Sequence, residues 1–248
     1  KTPMVISADD GGNIKVWDIR NLNCLQTVEL GSRIMINRII SIYEDDRICI
    51  VGSRISFLMF DEPIESTAKA KMEEKVWPIK TEYNFNLNEL VVCTSKDVRF
   101  LDASTGRTKK IYTGLLNDDD ENSDICAFKL IQQNKKFILG DNRGNIGLYL
   151  YATGELLKPL HHHNHEITNI KYDYINKLII SSSADSTVAI QKEEKRKFEV
   201  KRKIRNMHYQ KDVTLLAVSV HHNIFLTATN TKTIYVWDYE YAKLVAKL

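Results

Sequence analysis

The histidine run Leu160-His161-His162-His163-Asn164-His165 is the stretch of the sequence most typical of a metal site. Neutral imidazoles bind zinc and copper, but structural zinc sites place their ligands at characteristic spacings. This run fits none of those spacings, and no cysteine or paired carboxylate lies close to it in the sequence. The sequence therefore predicts a solvated loop here, with no metal ligands.

An acidic stretch, Asp118 to Asp124, reads DDDENSD and places oxygen-bearing side chains at the first, third and fifth positions of an EF-hand loop. Such a calcium-binding loop also needs glycine at its sixth position, to turn the chain, and glutamate at its twelfth, as a bidentate ligand. Ser123 and Lys129 occupy those two positions. The sequence therefore predicts an acidic surface loop and no calcium site.

A basic stretch, Lys192 to Arg205, carries eight basic residues against three glutamates. Strand alternation would place Phe198, Val200, Arg202 and Ile204 on one side and Glu199, Lys201, Lys203 and Arg205 on the other. One interpretation is a solvated sheet edge whose charges discourage aggregation, and the other is a docking patch for an acidic protein surface. The residues of that patch would be Lys192, Lys195, Arg196, Lys197, Lys201, Lys203 and Arg205.

Catalytic motifs are missing from the sequence: it contains no Gly-x-Ser-x-Gly elbow, no P-loop and no dinucleotide-binding fingerprint. Asp141 to Gly147 contains glycines, but its pattern is typical of a turn entering a strand rather than of a phosphate-binding loop. We therefore predict a protein that is not an enzyme, with no catalytic residues and no bound cofactor.

The composition of the 248 residues, 43% hydrophobic and 27% charged, is typical of a globular protein. The net charge of +3 is small and aromatic residues are sparse in the basic stretch, so nucleic acid is not an expected partner. No apolar run is long enough to span a membrane, and no signal peptide opens the chain. Four scattered cysteines favour reduced, buried thiols, and we expect a cytoplasmic protein without membrane association.

A repeated strand ending sets the organisation of the chain. The apolar-x-apolar-aromatic pattern of Ile14 to Asp18 returns at intervals of 41 to 48 residues, close to the period expected for propeller blades. Its anchor residues are Trp17, Phe60, Leu101, Tyr149, Gln191 and Trp237. This period predicts one β-propeller segment over residues 1–248, with repeat units at about 1–31, 32–75, 76–117, 118–161, 162–205 and 206–248.

Each repeat unit is expected to hold four short antiparallel strands, so the sequence predicts an all-β fold of about six blades. In the fifth unit the predicted strands are 167–172, 178–182, 187–191 and 198–204, and in the sixth 213–220, 224–228, 233–237 and 243–247. The first unit begins at Met4 in a second strand and is therefore incomplete. Asp61 to Lys75 is rich in Ala, Lys and Glu, and we expect a poorly formed or missing fourth strand there.

With Trp17-Asp18 and Trp237-Asp238 ending third strands at this period, the chain resembles the WD-repeat β-propellers along its whole length. In that family a His, a Ser or Thr, an Asp and the Trp form a buried hydrogen-bonded set. The matching positions in this sequence are Ser7, Trp17, His163, Ser181, Asp185, His208, Thr227 and Trp237. The resemblance also implies a structural role in the blades for Asp18 and Asp238 of the two Trp-Asp pairs. No unit keeps all four residue types, since Gln191 replaces the Trp in the fifth unit and Thr231 the Asp in the sixth.

A narrower resemblance rests on Thr2 to Thr27, Ile204 to Val213 and Ile234 to Glu240. These segments are similar to blades of the axonemal EF-hand and WD-repeat proteins of motile cilia. The resemblance implies a non-catalytic scaffold of the ciliary axoneme, with tubulin or axonemal subunits as partners and any EF-hands outside this segment. The alternative is a WD-repeat scaffold of another cytosolic complex, in trafficking, ubiquitin ligation or RNA processing.

Blade order also predicts which loops share an end of the sheets. The acidic loop at 117–124 and the histidine loop at 161–166 should be neighbours, with the basic stretch at the opposite end. The chain begins without methionine and the first unit lacks a strand. We therefore expect part of a larger or tandem propeller, in which a further segment closes the ring.

Overall fold

The computed structural model describes residues 4–30, 36–42, 47–52, 55–59, 77–116, 123–131, 135–193, 198–204, 212–229 and 233–248. In these ranges the chain forms twenty-two β-strands and one short 3₁₀ helix, Val220–His222. The ranges contain no helix with the length and apolarity needed to cross a membrane. The fold is thus all-β, as the sequence predicts.

The first three sheets are antiparallel. The first contains β1 (Met4–Ala8), β2 (Asn13–Asp18) and β3 (Cys24–Glu29). The second contains β4 (Ile36–Ile42), β5 (Arg47–Gly52) and β6 (Ile55–Met59). The third contains β7 (Lys80–Asn84), β8 (Glu89–Cys93), β9 (Asp97–Asp102) and β10 (Thr108–Thr113).

The remaining three sheets each have four strands in chain order. The fourth contains β11 (Ile125–Ile131), β12 (Lys136–Asp141), β13 (Ile146–Leu150) and β14 (Leu156–Pro159). The fifth contains β15 (Ile167–Asp173), β16 (Leu178–Ser183), β17 (Val188–Glu193) and β18 (Phe198–Ile204). The sixth contains β19 (Leu215–Ser219), β20 (Ile224–Ala228), β21 (Ile234–Asp238) and β22 (Lys243–Lys247).

The chain divides into two compact units, the first formed by residues 1–94 and 98–111 and the second by residues 95–97 and 112–248. In the first unit, Ile14 and Val28 pack with Ile48 and Ile50, so the first two sheets share an apolar core. In the second unit the facing residues of the fifth and sixth sheets form the core cluster Leu178, Ile180, Val188, Ile190, Leu216, Phe225, Trp237 and Tyr239. Burying such faces removes apolar area from water, which a single sheet cannot do.

The repeated anchors occupy equivalent register positions in their sheets. Tyr149 pairs with Phe137 and Trp237 with Phe225, in each case between the second and third strands of a four-stranded sheet. Trp17 pairs with Val5 between β1 and β2 of the three-stranded first sheet. In the fifth sheet Gln191 takes this position opposite Ile179. The spacing of the anchors in the sequence therefore reflects a repeated sheet geometry.

Several details differ from the sequence predictions. The run predicted as a strand over 213–220 forms a shorter strand, Leu215–Ser219, which ends where the chain turns into the 3₁₀ helix at Val220. The pairing of β17 with β18 shifts register between Ile190 and Gln191, an irregularity that the sequence did not predict. Cys24 is exposed rather than buried. The predicted weak strand at Asp61 to Lys75 and the anchor Phe60 lie outside the described residues.

Candidate functional site

Two tryptophans of the repeated pattern make the same side-chain bond. Trp17 Nε1 donates to Ser7 Oγ at 2.9 Å, and Trp237 Nε1 donates to Thr227 Oγ1 at 2.8 Å. The surroundings of the two bonds differ, because Trp237 and Thr227 are buried whereas Ser7 is exposed. The Trp17 bond therefore connects β1 with β2 and the Trp237 bond connects β20 with β21, and neither indole nitrogen is left to bind a ligand.

His163 lies at the centre of a buried polar chain in the fifth sheet. Its Nε2 is 2.8 Å from Ser181 Oγ and its Nδ1 is 2.7 Å from Thr187 Oγ1. The Thr187 hydroxyl donates to Asp185 Oδ1, so Nδ1 donates to Thr187 and Nε2 accepts from Ser181 in the neutral imidazole. Asp185 Oδ1 itself is 3.7 Å from Nδ1. Thr187 connects His163 to Asp185, and the sequence analysis did not identify it.

The set of Ser181, His163 and Asp185 contains the side-chain types of a serine hydrolase triad. In such a triad the serine must reach a substrate carbonyl, with the histidine as its base. Ser181 and His163 both have 0% of their surface exposed, so no substrate can approach the hydroxyl in this structure. The arrangement therefore stabilises the sheet, and its geometry provides no accessible nucleophile.

Burial sets the protonation state of this histidine. Desolvation lowers the pKa of His163 to about 4, although the nearby Asp185 carboxylate acts in the opposite direction. Burial alone would raise the pKa of Asp185, but hydrogen bonds, first of all from Thr187, hold it below its ordinary value. Near neutral pH the pair is thus a neutral imidazole and a carboxylate, joined through Thr187.

The aspartates of the two Trp-Asp pairs close the turns that follow them. Asp18 accepts from the backbone nitrogen of Arg20 at 2.9 Å, and Asp238 accepts from that of Tyr241 at 2.9 Å. Hydrogen bonds from the Arg20 side chain also hold the pKa of Asp18 below its ordinary value. The repeated Asp thus fixes the connection to the strand that follows, from β2 to β3 and from β21 to β22.

The histidine loop and the end of the acidic stretch meet at the turn between β12 and β13. Asn142 donates its backbone N–H to the Asp124 carbonyl at 3.0 Å, and His163 donates its backbone N–H to the Gly144 carbonyl at 2.9 Å. His162 Nδ1 lies 3.0 Å from Asn145 Oδ1. Residues 117–122 of the acidic loop lie outside the described part of the chain.

No group of three or more His, Cys, Asp or Glu side chains in the described ranges could hold a metal ion. In the histidine loop, His161 donates its backbone N–H to Gln191 Oε1 at 2.9 Å, and its ring stacks edge-on against that of His163 at 5.6 Å. These contacts hold the loop against the fifth sheet. They do not converge on a common point as metal ligands would.

The basic stretch is only partly described. Lys192 is exposed and lies opposite Leu178, at the end of the fifth sheet away from the histidine loop. Lys203 is half-buried and pairs with Ala189, and Lys201 lies on β18. The other predicted members of this patch, and one predicted blade residue, lie outside the described ranges: Lys195, Arg196, Lys197, Arg205 and His208.

A second polar network joins the fifth and sixth sheets, and the sequence pattern did not reveal it. The Tyr239 hydroxyl donates to Asp173 Oδ2 at 2.6 Å, and Asn176 Nδ2 donates to the same carboxylate oxygen at 2.8 Å. Asn223 takes part through its side-chain oxygen, 2.8 Å from the Tyr239 hydroxyl. Tyr239 directly follows the repeated Trp237-Asp238, and this position is the sequence feature that could have indicated a structural role for it.

This network also shifts the titration of its members. Burial would raise the pKa of Asp173, but the hydrogen bonds from Tyr239 and Asn176 outweigh it and lower the pKa below its ordinary value. Burial and the neighbouring Asp173 charge raise the pKa of Tyr239. At neutral pH the network therefore consists of a carboxylate and a protonated tyrosine, held in one geometry.

Comparison with known protein families matches one segment of the chain. Residues 154–190 match the model of the WD domain, G-beta repeat. The matched segment contains His163, Ser181 and Asp185 and runs from β14 to the first half of β17.

Solved structures resemble the chain over nearly its whole length. The β-propeller domain of Cps50 (Swd1) from Myceliophteria thermophila gives a TM-score of 0.75 at 10% identity, covering 99% of this chain and 82% of that one. A chain of the mitotic checkpoint complex gives 0.74 at 14% identity, covering 95% and 71% respectively. Raptor from Chaetomium thermophilum gives 0.75 at 16% identity, covering 99% of this chain and 23% of that one.

These similarities and the repeated sheets define the class of fold: the chain has the all-β, WD-repeat β-propeller fold, with antiparallel blades.

A curated protein is also similar to a large part of this chain. Cilia- and flagella-associated protein 337 B of Tetrahymena thermophila is 23% identical over 192 residues, covering 75% of this chain. The aligned region represents 15% of the length of that relative.

Proposed function

We propose that the protein is a non-catalytic interaction scaffold of the ciliary axoneme, with tubulin or axonemal subunits as its partners. The observation that carries this proposal is the similarity to Cilia- and flagella-associated protein 337 B over 192 residues. The WD-repeat propeller fold is compatible with it, because such folds present loops and sheet edges from a rigid support. In the fifth sheet the residues with catalytic potential, Ser181 and His163, are buried and bonded to one another.

Localisation in ciliated cells of the source organism tests this proposal. The full-length protein, tagged at its own locus, should remain with axonemes after the membrane is removed by detergent. High salt should then release it together with a defined set of axonemal proteins. A protein that stays in the cytosolic fraction and co-purifies with trafficking, ubiquitin-ligase or RNA-processing components would instead support the alternative scaffold.

The basic stretch gives a second test, at the level of the partner. If it docks on an acidic surface such as that of tubulin, reversing the charges of Lys195, Arg196 and Lys197 should weaken co-sedimentation with microtubules about tenfold or more at low salt. Reversal of the exposed Lys247 on β22 is a control with the same type of residue elsewhere. Unchanged binding by the triple variant would count against the stretch as a docking patch.

A further inference from the structure

The turn between β15 and β16 exposes an apolar pair on a fixed backbone. Tyr174 is 51% and Ile175 is 52% exposed. Asp173 Oδ1 accepts from the backbone nitrogens of Ile175 at 2.9 Å and Asn176 at 3.0 Å, and Lys177 ends the turn with a φ of 55°. Asp173 and Asn176 supply the turn chemistry, whereas Tyr and Ile are not residues that turns favour. The pair therefore contributes little to the turn itself and offers its side chains to solvent.

The neighbouring turn of the sixth sheet supports this pair. Asn176 Nδ2 lies 3.0 Å from the Tyr239 hydroxyl, which itself donates to the buried Asp173. Tyr241, two residues further on, is 63% exposed, and its backbone N–H is held by Asp238. Two aromatic rings and an aliphatic side chain are thus presented by two turns that hydrogen bonds join. Rigid aromatic anchors of this kind lose little conformational entropy on binding.

Three lysines lie on or beside the two turns. Lys177 closes the first turn, Lys192 lies opposite Leu178 beside it, and Lys243 lies opposite Asp238 at the second turn. All three lysines are exposed, and Glu240 is the exposed acid of the same two turns. Positive charge next to an apolar centre favours a partner that is acidic around an apolar group.

We propose that Tyr174, Ile175, Tyr241, Lys177, Lys192 and Lys243 form a docking patch for an acidic protein segment that carries an aromatic or aliphatic side chain. This inference rests on the proposed function as a protein-interaction scaffold and names the chemistry of the partner. The apolar side chain contacts Tyr174 and Ile175, and the acidic residues on either side of it pair with the lysines. An apolar centre with a charged rim is the usual anatomy of a specific protein interface.

Binding of a synthetic peptide tests the docking patch. The probe is a short fluorescent polyglutamate peptide with a central Phe-Leu pair, titrated with the 248-residue protein and followed by fluorescence anisotropy. The double variant Tyr174→Ala/Ile175→Ser should bind it about tenfold more weakly than the wild type, since hot-spot side chains carry most of the affinity. A peptide with Ser-Ser in place of Phe-Leu should show a similar loss on the wild-type protein.

Matched variants separate the patch from general charge and from misfolding. Leu156→Ser/Leu157→Ser removes two apolar side chains that are 50% and 46% exposed on β14, and should leave peptide binding unchanged. Lys177→Gln/Lys192→Gln should weaken binding and reduce its dependence on salt. Circular dichroism melting curves of all variants should match the wild type, because the substituted side chains are exposed.

Three results would overturn the inference. Equal affinity for the Phe-Leu and Ser-Ser peptides would mean that only charge is recognised. Tighter binding of single-stranded RNA or of anionic vesicles than of the peptide would assign the patch to another class of partner. Self-association that the Tyr174→Ala/Ile175→Ser variant abolishes, measured by sedimentation velocity, would make it a contact between copies. Peptide binding is independent of localisation, so a protein that binds the probe but is absent from axonemes contradicts the proposed function alone.

Discussion

Trp237 donates its indole N–H to Thr227, ten residues earlier in the chain, across 2.8 Å in a buried environment. Trp17 and Ser7 repeat the bond at 2.9 Å and the same sequence separation, with Ser7 exposed to solvent. A buried donor that loses its acceptor must be desolvated without compensation, whereas an exposed donor can turn to water. The same pair of residue types should therefore contribute differently to stability in the two sheets.

Thr227→Val keeps the shape of the side chain but leaves the buried Trp237 N–H without its acceptor. We expect this variant to lose about 1 to 3 kcal/mol of unfolding free energy. Ser7→Ala makes the equivalent change at the exposed bond and should cost less than about 0.5 kcal/mol. Urea denaturation followed by circular dichroism measures both. Equal losses would mean that the burial of the Trp237 bond does not decide its contribution.

Gly144 has a φ of +95°, and a Cβ there would lie 2.2 Å from the His163 carbonyl oxygen. Gly144→Ala should therefore cost about 2 kcal/mol or more, because both the conformation and the close backbone contact exclude a side chain. Gly11→Ala is the control, because the nearest atom to its Cβ would be a side-chain oxygen of Asp9, at 3.2 Å, rather than a backbone atom. Thermal melting should show a large decrease for the first variant and little change for the second. Similar melting temperatures would contradict the steric account.

The strand positions could be predicted from the sequence because each sheet repeats a local pattern. Apolar alternation and turn residues are properties of neighbouring residues, and the run Phe198–Ile204 was predicted with its observed bounds. The shift in the pairing of β17 with β18 could not be predicted, because it depends on how two strands fit together rather than on either strand alone.

The two polar networks could be predicted from the sequence only in part. His163 and Ser181 could be proposed because they occupy positions of a known repeat. Thr187 was missed because its hydroxyl reaches both His163 and Asp185 only through the geometry of the turn. Tyr239 and Asp173 are 66 residues apart and belong to different sheets. Their contact depends on how adjacent blades pack, which single-blade patterns do not contain.

Tyr239→Phe removes the hydroxyl that donates to Asp173 at 2.6 Å. At neutral pH this variant should lose about 1 to 3 kcal/mol of unfolding free energy. The lowered pKa of Asp173 means that its contribution is present above the ordinary pKa of an aspartate and is lost as the pH falls through the folded-state value. The difference between variant and wild type should therefore shrink in acid. Tyr241→Phe, at an exposed tyrosine, is the control, and a difference that stays constant with pH would contradict the prediction.

His163 should make the stability of the protein depend on pH in mildly acidic solution. Burial lowers its pKa from 6.5 to about 4, so between these values the unfolded chain binds a proton that the folded chain does not. Stability should therefore be highest above pH 6.5, fall as the pH decreases towards 4, and stop falling from this cause below it. A shift of this size corresponds to roughly 3 kcal/mol across the window.

The variant His163→Gln removes the titrating group and tests this prediction through the slope of stability against pH. It should be less stable than the wild type at neutral pH, because Ser181 and Thr187 lose their shared partner. Its unfolding free energy, from urea titrations at several pH values, should nevertheless decrease less from neutral to mildly acidic pH. His165→Gln, at an exposed histidine of the same loop, should keep the wild-type slope. If His163→Gln also kept the wild-type slope, groups other than His163 would cause the acid sensitivity, because glutamine cannot bind the proton that drives unfolding.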